Sequence, residues 1–350
     1  MERTEIGELG EFGLIGRLTK DLTHQQPSTL RGVGDDAAVL DPMGKRMVVS
    51  TDLLCEGIHF DLSYVPLKHL GYKAVVVNLS DICAMNAVPT QVVVGLGLSN
   101  RFSVEAAEEL YEGIRLACEV YKVDLVGGDT TATTSGLTLG ITAMGWVEPD
   151  VVVGRDGASD GDLLVVSGDL GAAYMGLQIL EREKEVYQAA PTAQPELDDF
   201  AYLLERQLKP EARVDVIREI ADLKLKPTSM IDISDGLASE VMHLGTSSGV
   251  GIKVYEDKLP IDGKVYDTAR EFNLDPTLCM LSGGEDYELL FTIRQEDFEK
   301  VRNHPKLTVI GHAVAAPDAF TMVTKGGTEV PLQAQGWDGL RNPQEGPQTD

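Results

Sequence analysis

Six short stretches place an acidic residue beside Gly, Ser or Thr at the edge of an apolar run. They are GVGDDAAVL (Asp35, Asp36), VVSTDLLCEG (Asp52), VNLSDICAM (Asp81), DLVGGDTT (Asp129), MIDISDG (Asp232, Asp235) and LSGGEDYEL (Glu285, Asp286). Any one of them alone reads as a turn, because Asp and Ser bond their own backbone there and Gly supplies unusual dihedrals. Together they suit different chemistry. Mg²⁺ takes hard oxygen ligands: carboxylates, hydroxyls, water and substrate phosphate oxygens. Glycine-flanked acids also bring backbone N–H groups and a carboxylate to one phosphate. Several such turns meeting in one cleft would make a polyphosphate–metal site. The stretch SMIDISDGLASEVMHL poses the choice most sharply, since its two acids could cap a helix, hold a metal ion or sit in water.

Competing chemistries lack their motifs. "DPMGKRM" has a Gly-Lys pair but neither the earlier glycine nor the hydroxyl of a phosphate-binding P-loop. No G-x-G-x-x-G follows a strand, and neither H-E-x-x-H nor G-x-S-x-G occurs. His59, in CEGIHFD, is the histidine nearest the acidic motifs, and Arg155, in VVGRDGASDGD, can reach a phosphate or pair with Asp156.

The chain has 30 Lys and Arg against 56 Asp and Glu, a formal net charge of -26, which repels nucleic acid and anionic membranes. The excess is a solvated surface, part of which can await divalent cations. Cys55, Cys83, Cys118 and Cys279 form no C-x-x-C pair and read as small buried hydrophobes in a reducing cytoplasm. The charged MERTEIGELGEF start and the absence of a long apolar run lead to the expectation of a cytosolic protein, off the membrane.

Elements must position these residues. RMVVST (46–51), QVVVGLGL (91–98) and LTLGITAMGWV (137–147) read as strands, being β-branched and bounded by turn residues. SVEAAEELYEGIRLACEVY reads as a helix capped by Ser103, with Val104, Ala107, Leu110, Ile114, Ala117 and Tyr121 on one face. YKAVVVNLSDICAMNA fits a strand or a helix. After the Pro-, Gly- and Asp-rich break at VEPDVVVGRDGASDGD come a strand (DLLVVSG), a helix (GAAYMGLQILEREKE) and a second helix (PELDDFAYLLERQL) with acids in its first turn. LSGGEDYELLFTI reads as turn then strand, and TVIGHAV as another strand. The expectation is a mixed α/β (α+β) chain with a domain over 1–148, a second over 149–340 and a polar tail over 341–350.

The ordered set GEFGLI, GDDAAV, STDLLCEGIHF, GYKAVVVNLSDICAMNA, VGGDTT, VGRDGASDGD, IDISDG, LSGGEDYELLFT and a late GW resembles the thiamine-monophosphate kinases. These belong with the aminoimidazole-ribonucleotide and selenophosphate synthetases. The resemblance runs from about Glu11 to Trp337, and no cysteine precedes Cys55 to serve a selenophosphate synthetase. It implies two α+β domains, the N-terminal one forming a barrel across a homodimer, with NLSD on a helix. The implied reaction is phosphorylation of thiamine monophosphate by ATP with several Mg²⁺ ions and no general base. By motif position it implies metal roles for Asp36, Ser50 or Thr51, Asp52, Asp81, Asp129, Asp232 and Asp235. ATP contacts fall on Tyr121, Gly128, Asp129, Arg155 and Ser234, and substrate contacts on His59, Glu285 and Trp337.

Overall fold

The computed structural model describes residues 14, 16–31, 39–41, 43–191, 195 and 197–334. Asp35, Asp36, Trp337 and the polar tail lie outside them. Two mixed α/β layers make up the described residues. The first holds a short antiparallel pair, β1 (Thr29–Arg31) and β2 (Val39–Leu40), and then a larger unit. That unit runs β3 (Arg46–Cys55), α1 (Leu67–Ala84), β4 (Val88–Leu98), α2 (Val104–Tyr121), β5 (Asp124–Ala132) and β6 (Leu137–Val147). Its strands lie in the order β3-β6-β4-β5, antiparallel except for the parallel β4–β5 pair joined through α2.

Residue alternation explains how β3 sits. Val48, Ser50, Asp52 and Leu54 turn inward toward α1, while Met47, Val49, Thr51 and Leu53 are exposed on the other face. The α2 helix keeps its sequence-predicted face and its Ser103 cap, which accepts from the Ala106 amide. The α1 segment is a helix, as the resemblance implied. It is buried on nearly every side, so it carries apolar residues all round and lacks the stripe that marks a surface helix. It crosses α2 where two glycines meet: a Cβ at Gly71 would lie 2.0 Å from Leu110 O, and one at Gly113 1.9 Å from Lys68 O.

The second layer contains β7 (Leu163–Ser167), α3 (Ala172–Ala189), α4 (Ala201–Leu208), α5 (Val214–Asp222), β8 (Ser229–Asp232), α6 (Leu237–Ser248), β9 (Gly251–Tyr255), α7 (Gly263–Glu271), α8 (Pro276–Ser282), β10 (Leu289–Ile293), β11 (Leu307–Val314), β12 (Phe320–Val323) and β13 (Glu329–Pro331). Seven strands form one sheet in the order β13-β12-β9-β11-β7-β10-β8. The helix expected from PELDDFAYLLERQL starts later: Asp198–Phe200 form a 3₁₀ turn and the α-helix begins at Ala201, so Asp198 and Asp199 precede it. One apolar cluster runs through both layers, joining Leu79 and Ile82 of α1 to Met230, Leu289 and Phe291 of the second sheet. Among the described residues no helix is long and apolar enough to cross a membrane.

Candidate functional site

A cleft of about 810 Å³ opens between the layers, and Asp52, Asp81, Asp232, Ser234, Asp235, His59 and Glu285 all line it. Three secondary elements bring the acids there. Asp52 comes from the inward face of β3, Asp81 from α1, and Asp232 from the end of β8. Their neighbours hold them in place. Ser50 Oγ donates to Asp81 Oδ2 at 2.6 Å, and the buried Ser80 Oγ donates to Asp232 Oδ2 at 2.6 Å. The Asp52 amide donates to Asn78 Oδ1 at 2.8 Å, and Asn78 is anchored in turn to Ala74 O.

Burial pushes all three acids toward their neutral forms, and carboxylate repulsion adds to it at Asp52 and Asp232. Burial raises Asp52 from 3.8 to about 6, with the Asp81 charge adding to it. Asp232 rises mainly through burial, with Asp81 and Asp52 contributing. Asp81 rises by burial too, held back by the Ser50 hydroxyl and the Arg155 charge. Among the described residues no three His, Cys, Asp or Glu side chains enclose an ion as they stand. The donor set nonetheless fits a hard divalent cation: it is all oxygen, it is negatively overcharged, and positive charge among these carboxylates would reverse their shifts.

The segment after Asp232 is not the helix cap that its sequence suggests. The N-cap position of α6 falls on Gly236, at φ +117°, and no side chain caps it. The Asp235 amide donates instead to Glu240 Oε1 at 3.1 Å. Burial raises the Glu240 carboxyl to about 8.

The cleft around His59 has a different character. His59 accepts the Cys55 amide at Nδ1 (3.0 Å), which orients its ring. Tyr64, Tyr174, Leu177, Leu274 and Leu278 give the cleft an apolar and aromatic wall. The His59 loop is tied across to α3, since Lys184 bonds Asp61 at 2.8 Å and Tyr64 donates to Glu181 at 2.6 Å. The Lys184 contact holds Asp61 at about 2.

Other sequence candidates lie elsewhere. Thr51 faces the opposite side of the sheet from Ser50 and bonds Ile141 O and Thr142. Gly128 and Asp129 are exposed on edge strand β5, outside the cleft lining. The Tyr121 hydroxyl is engaged by Glu211 and by the Ala212 amide (3.0 Å), also away from the lining. Arg155 is exposed but feels Asp81 electrostatically.

The sequence reading missed Asn78, which holds the Asp52 backbone, and Ser80, which aims the Asp232 carboxylate, along with Lys73 and Gln207 on the cleft wall. A signal for three of them was present. Lys73, Asn78 and Ser80 are polar residues inside the apolar run of KAVVVNLSD, and a polar side chain in a helix buried all round must have a partner.

Residues 34–147 match the family model "AIR synthase related protein, N-terminal domain". A thiamine-monophosphate kinase of Aquifex aeolicus is 38% identical over 83% of this chain and 88% of its own. One of Bacillus subtilis is 31% identical over 94% of this chain and 99% of its own. Among solved structures, AaThiL complexed with AMPPCP and TMP superposes with a TM-score of 0.72 at 33% identity, covering 96% of this chain and 99% of that one.

Proposed function

Because the chain belongs to the thiamine-monophosphate kinase family, we propose that it phosphorylates thiamine monophosphate to thiamine diphosphate with ATP, by direct in-line transfer in the inter-layer cleft. The observation that carries this reading is the convergence of Asp52, Asp81 and Asp232 from both layers on one cleft that His59 and Glu285 also line.

The acceptor is a phosphate oxygen that already bears negative charge, so no general base is needed and none is assigned. Charge repulsion is the obstacle: two like charges ~4 Å apart at an effective dielectric near ~20 repel by about 4 kcal/mol. Ser50, Asp52, Asp81, Asp232 and Asp235 are the residues around this cleft that would hold Mg²⁺, and Asp36, Thr51 and Asp129 are assigned to it by motif position alone. When bound, Mg²⁺ supplies the positive charge that lets the two anionic phosphates approach. Ser50 and Ser80 keep the Asp81 and Asp232 carboxylates aimed, and Arg155 adds positive charge near Asp81. ATP is assigned to Ser234 on the cleft wall, and by motif position to Arg155, Tyr121, Gly128 and Asp129. Thiamine monophosphate is assigned to His59, Glu285 and Trp337, its heterocycles against the apolar wall and its phosphate toward the acids.

The unit to residue 148 is assigned to metal, ATP and dimerisation, and residues 149–340 to the second domain, in a cytoplasmic homodimer. The outer face of β3 supports the dimer: Met47, Val49 and Leu53 are each more than half exposed in a row, which a second copy closing a barrel would cover. The test of the activity is incubation with ATP, Mg²⁺ and thiamine monophosphate, followed by chromatography for thiamine diphosphate. Absence of product from protein that binds both substrates calorimetrically would overturn the reading.

A further inference from the structure

Lys73 has no task in the reaction just described, yet its surroundings are specific. It is 7% exposed, on α1, two turns before Asp81. Its Nζ donates to Gln207 O at 2.9 Å and pairs with Glu285 Oε1 at 2.9 Å. Gln207 Nε2 donates to Glu285 Oε2 at 2.7 Å. Each oxygen of the Glu285 carboxylate is therefore held by a different donor, one from the first layer and one from the second. A carboxylate has about four acceptor positions, so both oxygens can still accept from a ligand. Gln207 Oε1 is a buried acceptor with no partner among the described residues, and Lys73, Gln207 and Glu285 all line the cleft.

The backbone at Glu285 is also constrained. Its φ is +58°, a left-handed conformation uncommon for a residue with a side chain. The Glu285 amide donates to Ser234 O at 2.7 Å and the Tyr287 amide to Ile233 O at 2.8 Å. The second layer thus fixes where the Glu285 backbone stands relative to Asp232 and Asp235, while α1 helps to fix where its carboxylate points. An apolar side chain at position 73 would pack a buried helix without desolvating an ammonium. A lysine there is explained by what it holds.

We propose that Lys73 is a positioning residue for substrate recognition, which with Gln207 sets the Glu285 carboxylate as an acceptor for the N–H donors of the substrate's aminopyrimidine. This rests on the assignment of the Glu285 end of the cleft to thiamine monophosphate. Because the ammonium is committed to Gln207 O and Glu285, its loss changes heterocycle binding rather than ATP binding or phosphoryl transfer.

The test uses the full chain with Lys73→Met, Glu285→Gln and the double variant. It measures KM for each substrate, kcat, and calorimetric binding of thiamine monophosphate in the absence of ATP. Lys73→Met is expected to weaken thiamine monophosphate on the order of tenfold, both in KM and in binding, while KM for ATP and kcat stay within about threefold. The double variant is expected to be little worse than Glu285→Gln alone, since the two residues act as one unit. Unchanged thiamine monophosphate affinity overturns the inference, as does an equal rise in both KM values or full additivity. Should Lys73→Met not fold, Gln207→Leu removes the other donor and is read by the same criteria. Wild-type protein that binds thiamine monophosphate but forms no product refutes the kinase reading alone, and the binding measurements still decide the role of Lys73.

Discussion

Replacing Asp52 by Asn separates crowded charge from fold, because the two effects have opposite signs. Asp52 sits on β3 with its carboxylate raised from 3.8 to about 6, by burial first and the Asp81 charge second. A carboxyl raised in the folded state contributes stability that is complete below the unfolded value near 3.8 and is lost as pH rises through about 6. At pH 7.5 the metal-free protein therefore carries the whole cost of the charged form, at most about 3 kcal/mol at 1.36 kcal/mol per pH unit. Partial solvent access reduces this to about 1–2 kcal/mol. Asn is nearly isosteric, and the bond at this position that reaches Asn78 is donated by the backbone amide, which the substitution keeps. In EDTA at pH 7.5, Asp52→Asn should raise Tm by roughly 1–3 °C for a chain of this length, and the gain should shrink toward pH 5. With Mg²⁺ the order should reverse: wild type gains Tm and turns over, while the variant gains less and loses most of its kcat. Scanning calorimetry at both pH values, with and without Mg²⁺, reads all of this. A variant no more stable than wild type in EDTA, or equal stabilisation of both proteins by Mg²⁺, would refute the reasoning.

Ser80→Ala should cost about 1–3 kcal/mol in urea unfolding, because it strips the hydroxyl donor from the buried Asp232 carboxylate. It should also lower Mg²⁺ affinity, which a titration followed by turnover measures. Gly71→Ala should be severe, at about 3 kcal/mol or more, since its Cβ would lie 2.0 Å from the Leu110 carbonyl and would push α1 off α2. Circular dichroism during thermal unfolding should then show a much lower Tm, and an unchanged Tm would mean that the two helices do not cross this closely. Val49→Glu, on the exposed face of β3, should leave the fold intact and convert a dimer to a monomer in sedimentation velocity; a dimer of unchanged affinity would remove that face from the interface.

Much of the architecture is legible in residue order because local physics writes it there. Strand β6 spans the residues that alternation and β-branching pick out, and α2 begins after the serine that caps it. The acids were conspicuous because Gly, Ser and Thr accompany them, and strand alternation alone puts Ser50 and Asp52 on one face and Thr51 on the other. Local pattern failed where burial removes it. Helix α1 is enclosed by both layers, so its apolar residues show no period, and the sequence AVVV suits either state. Local pattern also misplaced Asp235, whose motif looks like a helix start although Gly236 occupies the cap.

What the sequence determined by itself is the inventory: which side chains bear charge, which segments alternate, and which ordered motifs mark the family. What only the tertiary structure decided is company. Asp52, Asp81 and Asp232 share a cleft, Ser80 reaches Asp232 across 152 positions, and Lys73 holds Glu285, while Asp129 and Tyr121 lie outside the lining. The reason is physical: a carboxylate's proton affinity and a lysine's role depend on burial and on charges a few ångströms away. Those neighbours come from remote parts of the chain, through the packing of α1 between two sheets.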